Sequence, residues 1–367
     1  MKEAGIGGSH SPQDIEVFTD MDLPRLGGVH LSEVMVEKKV KTTDSAVDAT
    51  LNTATKVCLF AHYHHLGIAA GYMLYYLDAL RDAGFATVVV STATMPDEEA
   101  VKIRARCTVL IMRENSGLDF GGWSDALRRY PDIKPDLLLL TNDSVYGPIT
   151  NLAAYIESLT AVPADFYGAV ESLQITPHIQ SWFVLLRPKA YRSAAFRQLM
   201  AKGPANGLAK FDLISAYEAG LSQALRDEGM VCHVPFTPAG RGRLTTRWPI
   251  NPMQILWRPL IERFGVPFMK VELLRSNPSG VDVGDALVVV ERRNPVLAAL
   301  IREDCAQRGR LSQNPTRIHW QQSMAKLARD MELSPNTVAS IANYAAFRFW
   351  WGSVKLVRWV AVLAGRR

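Results

Sequence analysis

The chain has 367 residues, of which 48% are hydrophobic and 21% are charged. These fractions are close to those of average globular domains, so they exclude a chain that is disordered throughout. The 41 basic residues outnumber the 36 acidic residues and give a net charge of +5. An excess this small is compatible with phosphate-bearing ligands or an anionic membrane surface, and it does not indicate a nucleic-acid partner.

The cysteines and the apolar runs indicate the cellular compartment of the protein. The 4 cysteines lie far apart and form no CxxC pair, which argues against a zinc ribbon or a redox motif. The first residues lack the apolar segment of a secretory signal. The sequence contains no run of about 18 uncharged apolar residues, so we expect no ordinary transmembrane helix. We therefore expect a cytoplasmic protein with reduced thiols.

The pattern divides the chain into three regions. Residues 1–50 are polar and irregular and predict a peripheral N-terminal arm. Residues 51–275 alternate short apolar runs with amphipathic segments, as one large domain would. Residues 276–367 have a mainly helical pattern.

Within the middle region, strand and helix patterns alternate at short spacing. Apolar runs predict strands, and segments with helical periodicity that begin near Pro or Asp and end near Gly predict helices. This alternation predicts an α/β fold with a mostly parallel sheet flanked by helices. The predicted strands are 57–63, 85–92, 107–114, 136–143, 165–172, 178–186 and 230–236, and the predicted helices are 72–84, 96–107, 119–131 and 211–229.

Polar residues follow the predicted strands at the places where ligands bind in such sheets, beyond the carboxyl ends. After the LLLL strand, Asn142, Asp143 and Ser144 supply one carboxylate and several hydrogen-bonding groups. They could hold a metal-bound pyrophosphate or ribose hydroxyls, and the alternative is a turn capped by its own side chains. A second such strand end, or tip, follows the third predicted strand. Its Gly121 allows close approach of a ligand, while its Asp119 either caps the helix or reaches a sugar.

The tip that follows the first predicted strand, residues 61–65, contains three histidines and is called the first tip below. In an extended chain His62 and His64 face one side and His65 faces the other. No acidic residue lies close by in sequence, so the pattern favours polar groups lining a crevice over a metal cluster.

Taken together, the segments CLFAHYHHLG (58–67), ENSGLDFGGWSDAL (114–127), LLLLTNDSVYGP (137–148), HIQSWFVLL (178–186) and YEAGLSQALRDEG (217–229) resemble the rhamnan synthesis protein F family in order and spacing. The resemblance covers about residues 56–275, and its most specific block is TNDSVYGP. The chain departs from the pattern in its His-rich first tip and in Trp182, where a Tyr is expected.

The resemblance implies a glycosyltransferase similar to the GT-A class, with residues 51–275 as the catalytic domain. Such an enzyme transfers a sugar, in related proteins L-rhamnose, from a nucleotide-sugar donor to a growing polysaccharide or lipid-linked glycan. A donor site at the three tips would include His62, Asp119, Gly121, Asn142, Asp143 and Ser144.

The chemistry of glycosyl transfer suggests further roles. Charge grows on the departing diphosphate, and Mg²⁺ or Mn²⁺ held by Asp143 could neutralise it, as could a clamp formed by Arg241, Arg243 and Arg247. A solvated basic surface is the alternative for those arginines. The candidates for a catalytic base are Glu218, which the resemblance favours, Glu171 and Asp143 itself. His178, Gln180 and Trp182 are candidates for an acceptor groove, with a core position as the alternative for Trp182.

Two features lie toward the C-terminus. Residues 344–367 are apolar, Trp-rich and basic, which predicts an amphipathic helix on the inner membrane surface, with a helix docked on protein as the alternative. Residues 327–342 resemble a helix-turn-helix, but the candidate reading helix lacks Arg and Lys. Besides a transferase, the sequence leaves open a non-catalytic sugar- or nucleotide-binding module and, less favoured, a DNA-binding regulator.

Overall fold

The structure is a computed structural model that describes residues 45–172, 176–204, 214–237, 251–277 and 281–308. All of these residues belong to the compact unit Ser45–Arg367. The N-terminal residues 1–44, the 327–342 segment and the 344–367 tail lie outside the described residues. The division into an arm, a catalytic domain and a C-terminal region therefore stays a prediction.

Eleven strands form one large and two small sheets in the described part of the chain. They are β1 (Lys56–His62), β2 (Ala86–Ser91), β3 (Val109–Met112), β4 (Leu137–Asn142), β5 (Val145–Tyr146), β6 (Phe166–Gly168), β7 (Glu171–Ser172), β8 (His178–Ile179), β9 (Phe183–Leu186), β10 (Cys232–His233) and β11 (Met269–Lys270). The large sheet has the order β10-β6-β9-β4-β1-β2-β3.

Helices cover both faces of that sheet. They are α1 (45–53), α2 (Gly71–Asp82), α3 (Asp97–Arg104), α4 (Leu118–Arg129), α5 (Leu152–Thr160), α6 (Pro188–Tyr191), α7 (Ala194–Lys202), α8 (Gly220–Asp227), α9 (Pro252–Ile255), α10 (Trp257–Glu262), α11 (Val271–Arg275), α12 (Ala286–Glu291) and α13 (Pro295–Arg308). A π-helical turn at Ile214–Ala219 leads into α8. No helix of the described residues is both long and apolar enough to cross a membrane.

The large sheet is mostly parallel, which confirms the predicted fold class. β1 pairs in parallel with β2 and β4, and β2 pairs in parallel with β3. Only β9 runs against its neighbours, β4 and β6. Every residue of β4 is buried, because helices cover both of its faces, and this explains its unbroken run of leucines.

Two hydrophobic cores lie on opposite faces of the sheet. One contains apolar side chains of α2 and α5 together with Leu297 and Ile301 of α13. The other contains apolar side chains of α4, α7 and α8. The described helices beyond residue 281 are therefore packed into the same core as the sheet.

Local structure differs from the sequence prediction in two segments. The predicted strand 178–186 is divided into β8 and β9, because Ser181 turns its N–H and hydroxyl to the carboxylate of Glu218. The helix that begins at Leu118 is preceded by Gly117, which has a φ of 70°, so Gly117 rather than Asp119 occupies the cap position. Asp119 lies in the first helical turn, where its negative charge suits the helix dipole.

Candidate functional site

The candidate site lies at the carboxyl ends of β1 and β4. These strands are parallel, and their register places Ala61 beside Asn142, so the residues that follow them emerge at one edge. Asp143 is the first residue after β4. Its Oδ2 accepts a hydrogen bond of 3.0 Å from the backbone N–H of Tyr63 and lies 3.9 Å from His62 Nε2.

Asn142 connects Asp143 to the start of α4. Its Nδ2 donates to Asp119 Oδ2 over 2.6 Å, and its Oδ1 accepts from the hydroxyl and the N–H of Ser144. The structure therefore brings Asp119, Asn142, Asp143 and Ser144 together, as the sequence predicts. The bonds within the 142–144 turn also agree with the simpler interpretation of a side-chain-capped turn.

Burial determines the protonation of Asp143. Removal from water raises the pKa of its carboxyl group from 3.8 to about 7. The Tyr63 N–H lowers this pKa and the nearby Asp119 carboxylate raises it, while the more distant Arg308 lowers it. A carboxyl group in this state changes charge near neutral pH.

His62 is neutral in this surrounding. Its side chain is buried, and burial followed by the charges of His64 and Arg308 lowers its pKa from 6.5 to about 3. Its Nδ1 lies 2.9 Å from the hydroxyl of Ser91, the last residue of β2. The imidazole thus links the ends of three adjacent strands as a polar group without charge.

A layer of side chains beneath Asp143 was not found from the sequence. The Tyr72 hydroxyl donates to the Asp143 backbone carbonyl over 2.9 Å and accepts from Arg308 Nη2 over 3.2 Å. Arg308 is itself paired with Asp304 at 2.7 Å. Lys270 Nζ lies 3.2 Å from the hydroxyl of Ser144, on the other flank of Asp143.

An open cavity of about 670 Å³ lies at the same edge of the sheet, and residues 63–65, 92–94 and 112–115 line it. These residues follow the ends of β1, β2 and β3. Tyr63 belongs to both features, because its backbone binds Asp143 while its side chain, 50% exposed, lies at the cavity. The volume is within the range of small-molecule sites.

Glu218 lies in the π-helical turn beside the same edge. Its two carboxylate oxygens accept the N–H and the hydroxyl of Ser181, each over 3.1 Å. β9 begins opposite Thr141, so Ser181 precedes β9 at the point where Asp143 follows β4. The π turn also contacts α4, since the Tyr217 and Phe120 rings are 5.5 Å apart.

Glu171 is placed differently from the other candidate bases. Its buried carboxylate forms an ion pair of 2.7 Å with Arg226 and also accepts the hydroxyl of Thr237. These partners suit an ion pair that supports the fold, and a base that must accept a proton would compete with the guanidinium.

The three acceptor candidates are buried in the described structure. The Trp182 ring is 1% exposed and packs against Phe268, so the expectation that it lines a groove is replaced by a core position. Gln180 accepts from Trp182 Nε1 and donates to Asn251. His178 is buried with Nε2 3.7 Å from Glu218 Oε1, which leaves it the role of a neighbour of that carboxylate.

Gly121 and the three arginines complete the predicted set. A Cβ at Gly121 would collide with the backbone carbonyl of Ser116, so close packing of α4 on the preceding loop already requires a glycine there. Arg241, Arg243 and Arg247 lie outside the described residues.

The donor set is compatible with a divalent ion shared with a ligand. Among the described residues, no group of three or more His, Cys, Asp or Glu side chains is arranged to hold a metal alone. Asp119 and Asp143 nevertheless lie close enough to influence each other's charge. Mg²⁺ is commonly held by one or two carboxylates when phosphate supplies further oxygens, and these two residues fit that pattern.

The fold and the site define an α/β protein whose ligand site lies at the carboxyl edge of a mostly parallel sheet. The sequence profile of the rhamnan synthesis protein F family matches residues 87–329, well over half of the chain. The chain therefore belongs to the rhamnan synthesis protein F family, which confirms the resemblance seen in its motifs.

Curated relatives are similar over part of the chain. The virulence protein VirA of Vibrio anguillarum is 29% identical over 202 residues, which cover 47% of this chain and 64% of that protein. An uncharacterized protein, y4gN of Sinorhizobium fredii, is 28% identical over 134 residues, or 35% of each chain. The match thus spans less than two thirds of either relative.

Two similar solved structures are glycosyltransferases, and each is 12% identical to this chain in sequence. The mannosyltransferase PcManGT from Pyrobaculum calidifontis, in complex with GDP-Man and Mn²⁺, has a TM-score of 0.35 and matches 83% of this chain and 98% of its own. GlyE of Streptococcus pneumoniae also has a TM-score of 0.35, with 70% and 64% covered. Similarity at these TM-scores is too weak to support a conclusion about this chain.

Proposed function

We propose that this protein is a glycosyltransferase that moves a sugar from a nucleotide-sugar donor to a growing polysaccharide or lipid-linked glycan. Membership of the rhamnan synthesis protein F family supports this class of reaction and makes L-rhamnose the first sugar to test. The observation that carries the proposal is that Asp119, Asp143 and Glu218 lie at one edge of the sheet, where Tyr63, which binds Asp143, also lines a cavity of about 670 Å³.

On the donor side, the cavity at the ends of β1–β3 would take the nucleoside, and Asp143 would lie beside the diphosphate. Asp119 and Asn142 present hydrogen-bonding groups for sugar hydroxyls. Asp143 and Asp119 are the residues that would hold Mg²⁺ or Mn²⁺. Such an ion would offset the negative charge that develops on the leaving diphosphate.

On the acceptor side, Glu218 is the proposed general base. Two hydrogen bonds from Ser181 fix the direction of its carboxylate, and 16% of its side chain remains exposed. It would take the proton of the acceptor hydroxyl as that oxygen attacks the anomeric carbon. Ser181 would keep the carboxylate oriented while the proton is transferred.

Turnover of nucleotide sugars tests this proposal. Release of nucleoside diphosphate from a panel that includes nucleotide-linked L-rhamnose would be measured with a glycan acceptor. We expect Asp143→Asn and Glu218→Gln each to lower turnover by about 10²–10³-fold. Glu157→Gln, which removes an exposed carboxylate on α5, is the matched control and should leave turnover unchanged.

Full activity of Asp143→Asn would show that the site is misplaced. Binding of a nucleotide sugar by the wild-type protein without any turnover would instead indicate a non-catalytic binding module.

We also propose that the protein acts at the inner membrane surface through residues 344–367. The support is the basic, Trp-rich sequence of that tail, which suits the headgroup region of an anionic leaflet. Deletion of 344–367 should abolish co-flotation of the protein with anionic vesicles. Equal flotation of both forms would rule out this role for the tail.

A further inference from the structure

Two buried hydrogen-bond donors near Asp143 have no acceptor among the described residues. They are His64 Nε2, on the first tip, and Arg275 Nε, at the end of α11. His64 is 2% exposed, and its Nε2 atom is buried. Buried donors are almost always paired in folded proteins, and an unpaired one in a ligand site points to an acceptor on the ligand.

The tautomer of His64 follows from its neighbours. Its Nδ1 accepts the backbone N–H of Leu66 over 3.2 Å, and this requires an unprotonated Nδ1. Burial and then the charge of Arg308 lower its pKa from 6.5 to about 4, so the ring is neutral at neutral pH. A neutral imidazole with an unprotonated Nδ1 has its proton on Nε2. The unpartnered atom is therefore an N–H donor.

The surroundings of these two donors favour an anion. Arg275 and Arg308 both act electrostatically on His64 and on Tyr72, with Asp304 as an opposing charge on both and Asp143 as a further opposing charge on Tyr72. Arg308 reaches Tyr72, which binds the Asp143 backbone, and Lys270 reaches Ser144. His64 also lines the cavity described above. Cationic and N–H groups from β11, α11 and α13 thus surround one end of the candidate site.

We infer that His64 and Arg275 form an anion-binding subsite that donates to the phosphate oxygens of a diphosphate. The inference rests on the proposed function, because it assigns part of the donor, its diphosphate, to these residues. Arg308 and Lys270 supply the positive surroundings, while the buried pair of Arg308 with Asp304 keeps Arg308 in place. The subsite is built from the first tip and from the C-terminal helices, which are far apart in sequence.

Isothermal titration with inorganic pyrophosphate tests the subsite. EDTA is present so that no divalent ion bridges the anion to Asp143. The variants are His64→Leu and Arg275→Gln in the full chain, and the matched control is Arg104→Gln, which removes an exposed positive charge at the end of α3. We expect Kd to rise about tenfold or more in each test variant, as loss of a hydrogen bond to a charged group predicts, and to stay within twofold in the control.

Thermal unfolding without ligand gives a second readout. Because Arg275→Gln removes an Nε–H donor that has no acceptor in the free protein, this variant should not unfold at a lower temperature than the wild type. His64→Leu also removes the acceptor of the Leu66 N–H, so a small decrease is expected for that variant. Should His64→Leu fail to fold, Arg275→Gln decides the question alone. Unchanged pyrophosphate affinity in the folded variants, or no binding by the wild type, overturns the inference.

The result also separates this subsite from the proposed reaction. If the variants bind pyrophosphate more weakly but the wild-type protein turns over no nucleotide sugar, the subsite is supported and the transferase proposal is rejected. Turnover by a protein whose variants bind pyrophosphate normally would keep the transferase and reject the subsite.

Discussion

Asp143, at the carboxyl end of β4, and Glu171, in the β7–β8 hairpin, are both buried carboxylates, yet their surroundings differ. Glu171 is 7% exposed and lies 2.7 Å from the guanidinium of Arg226. Asp143 is 15% exposed and accepts a backbone N–H, and the basic side chain within 4 Å of it in the described part of the chain is His62, which is neutral. From the sequence alone, both are candidates for a base, Asp143 only where no metal ion occupies it.

The difference separates a carboxylate that supports the fold from one that is available for chemistry. Glu171 is held by a direct ion pair with the half-buried Arg226, and removal of Arg226 would leave the buried Glu171 carboxylate without that partner. Burial without such a partner raises the pKa of Asp143 to about 7, a state that is common at functional sites. The pairing, rather than the degree of burial, distinguishes the two regions.

The largest effect expected from this comparison is on folding. Glu171→Ala should lower the free energy of unfolding by about 3 kcal/mol, because the half-buried Arg226 and the Thr237 hydroxyl would both lose their carboxylate acceptor. Urea denaturation measures the change, with Glu157→Ala, at an exposed position of α5, as the control. A loss no greater than that of Glu157→Ala would remove the distinction between the two regions.

A smaller change in the free energy of unfolding, of opposite sign, is expected for substitution of Asp143. The folded pKa is about 7 against 3.8 in the unfolded chain, so ionisation of Asp143 costs stability as the pH rises through this window. Asp143→Asn avoids that cost. In EDTA the free energy of unfolding of Asp143→Asn should be close to that of the wild type below pH 4. At pH 8 it should exceed the wild-type value by about 1–3 kcal/mol.

Denaturant titrations across this pH range measure the difference. An advantage that does not change between pH 4 and pH 8 would show that the Asp143 carboxyl group is not perturbed by burial.

The smallest effect concerns Glu218, which is an intermediate case because its partner is the uncharged Ser181. Ser181→Ala removes one of two hydrogen bonds and should lower turnover by about tenfold, with a stability loss of about 1 kcal/mol. Steady-state kinetics should place the loss in kcat rather than in KM, since the bond orients the proposed base. A change in KM alone would assign Ser181 to acceptor binding.

The sequence predicts much of the fold and part of the site. Alternating apolar runs predict β1–β4, and parallel strands bring their carboxyl ends to one edge, so the meeting of Asp119 with Asn142 and Asp143 followed from order and pattern alone. Those residues lie directly after strands or at a helix start, where local signals are strong.

The rest depended on contacts without a local signal. Tyr72 and Arg308 are 236 residues apart in sequence, and neither helix pattern indicates that α13 brings an arginine to α2. The pairing of Glu171 with Arg226 and the interruption of a predicted strand at Ser181 are likewise tertiary contacts that override local preference. The missing acceptor of His64 becomes visible only when its whole surrounding is known.

The central claim is that a diphosphate-linked sugar binds at the edge formed by the ends of β1, β2, β3 and β4. A crystal structure of the protein with a nucleoside diphosphate tests it most directly. We predict nucleoside density in the cavity lined by residues 63–65, 92–94 and 112–115, with phosphate density beside Asp143. Ordered nucleotide density elsewhere on the protein, with this edge empty, would contradict the account.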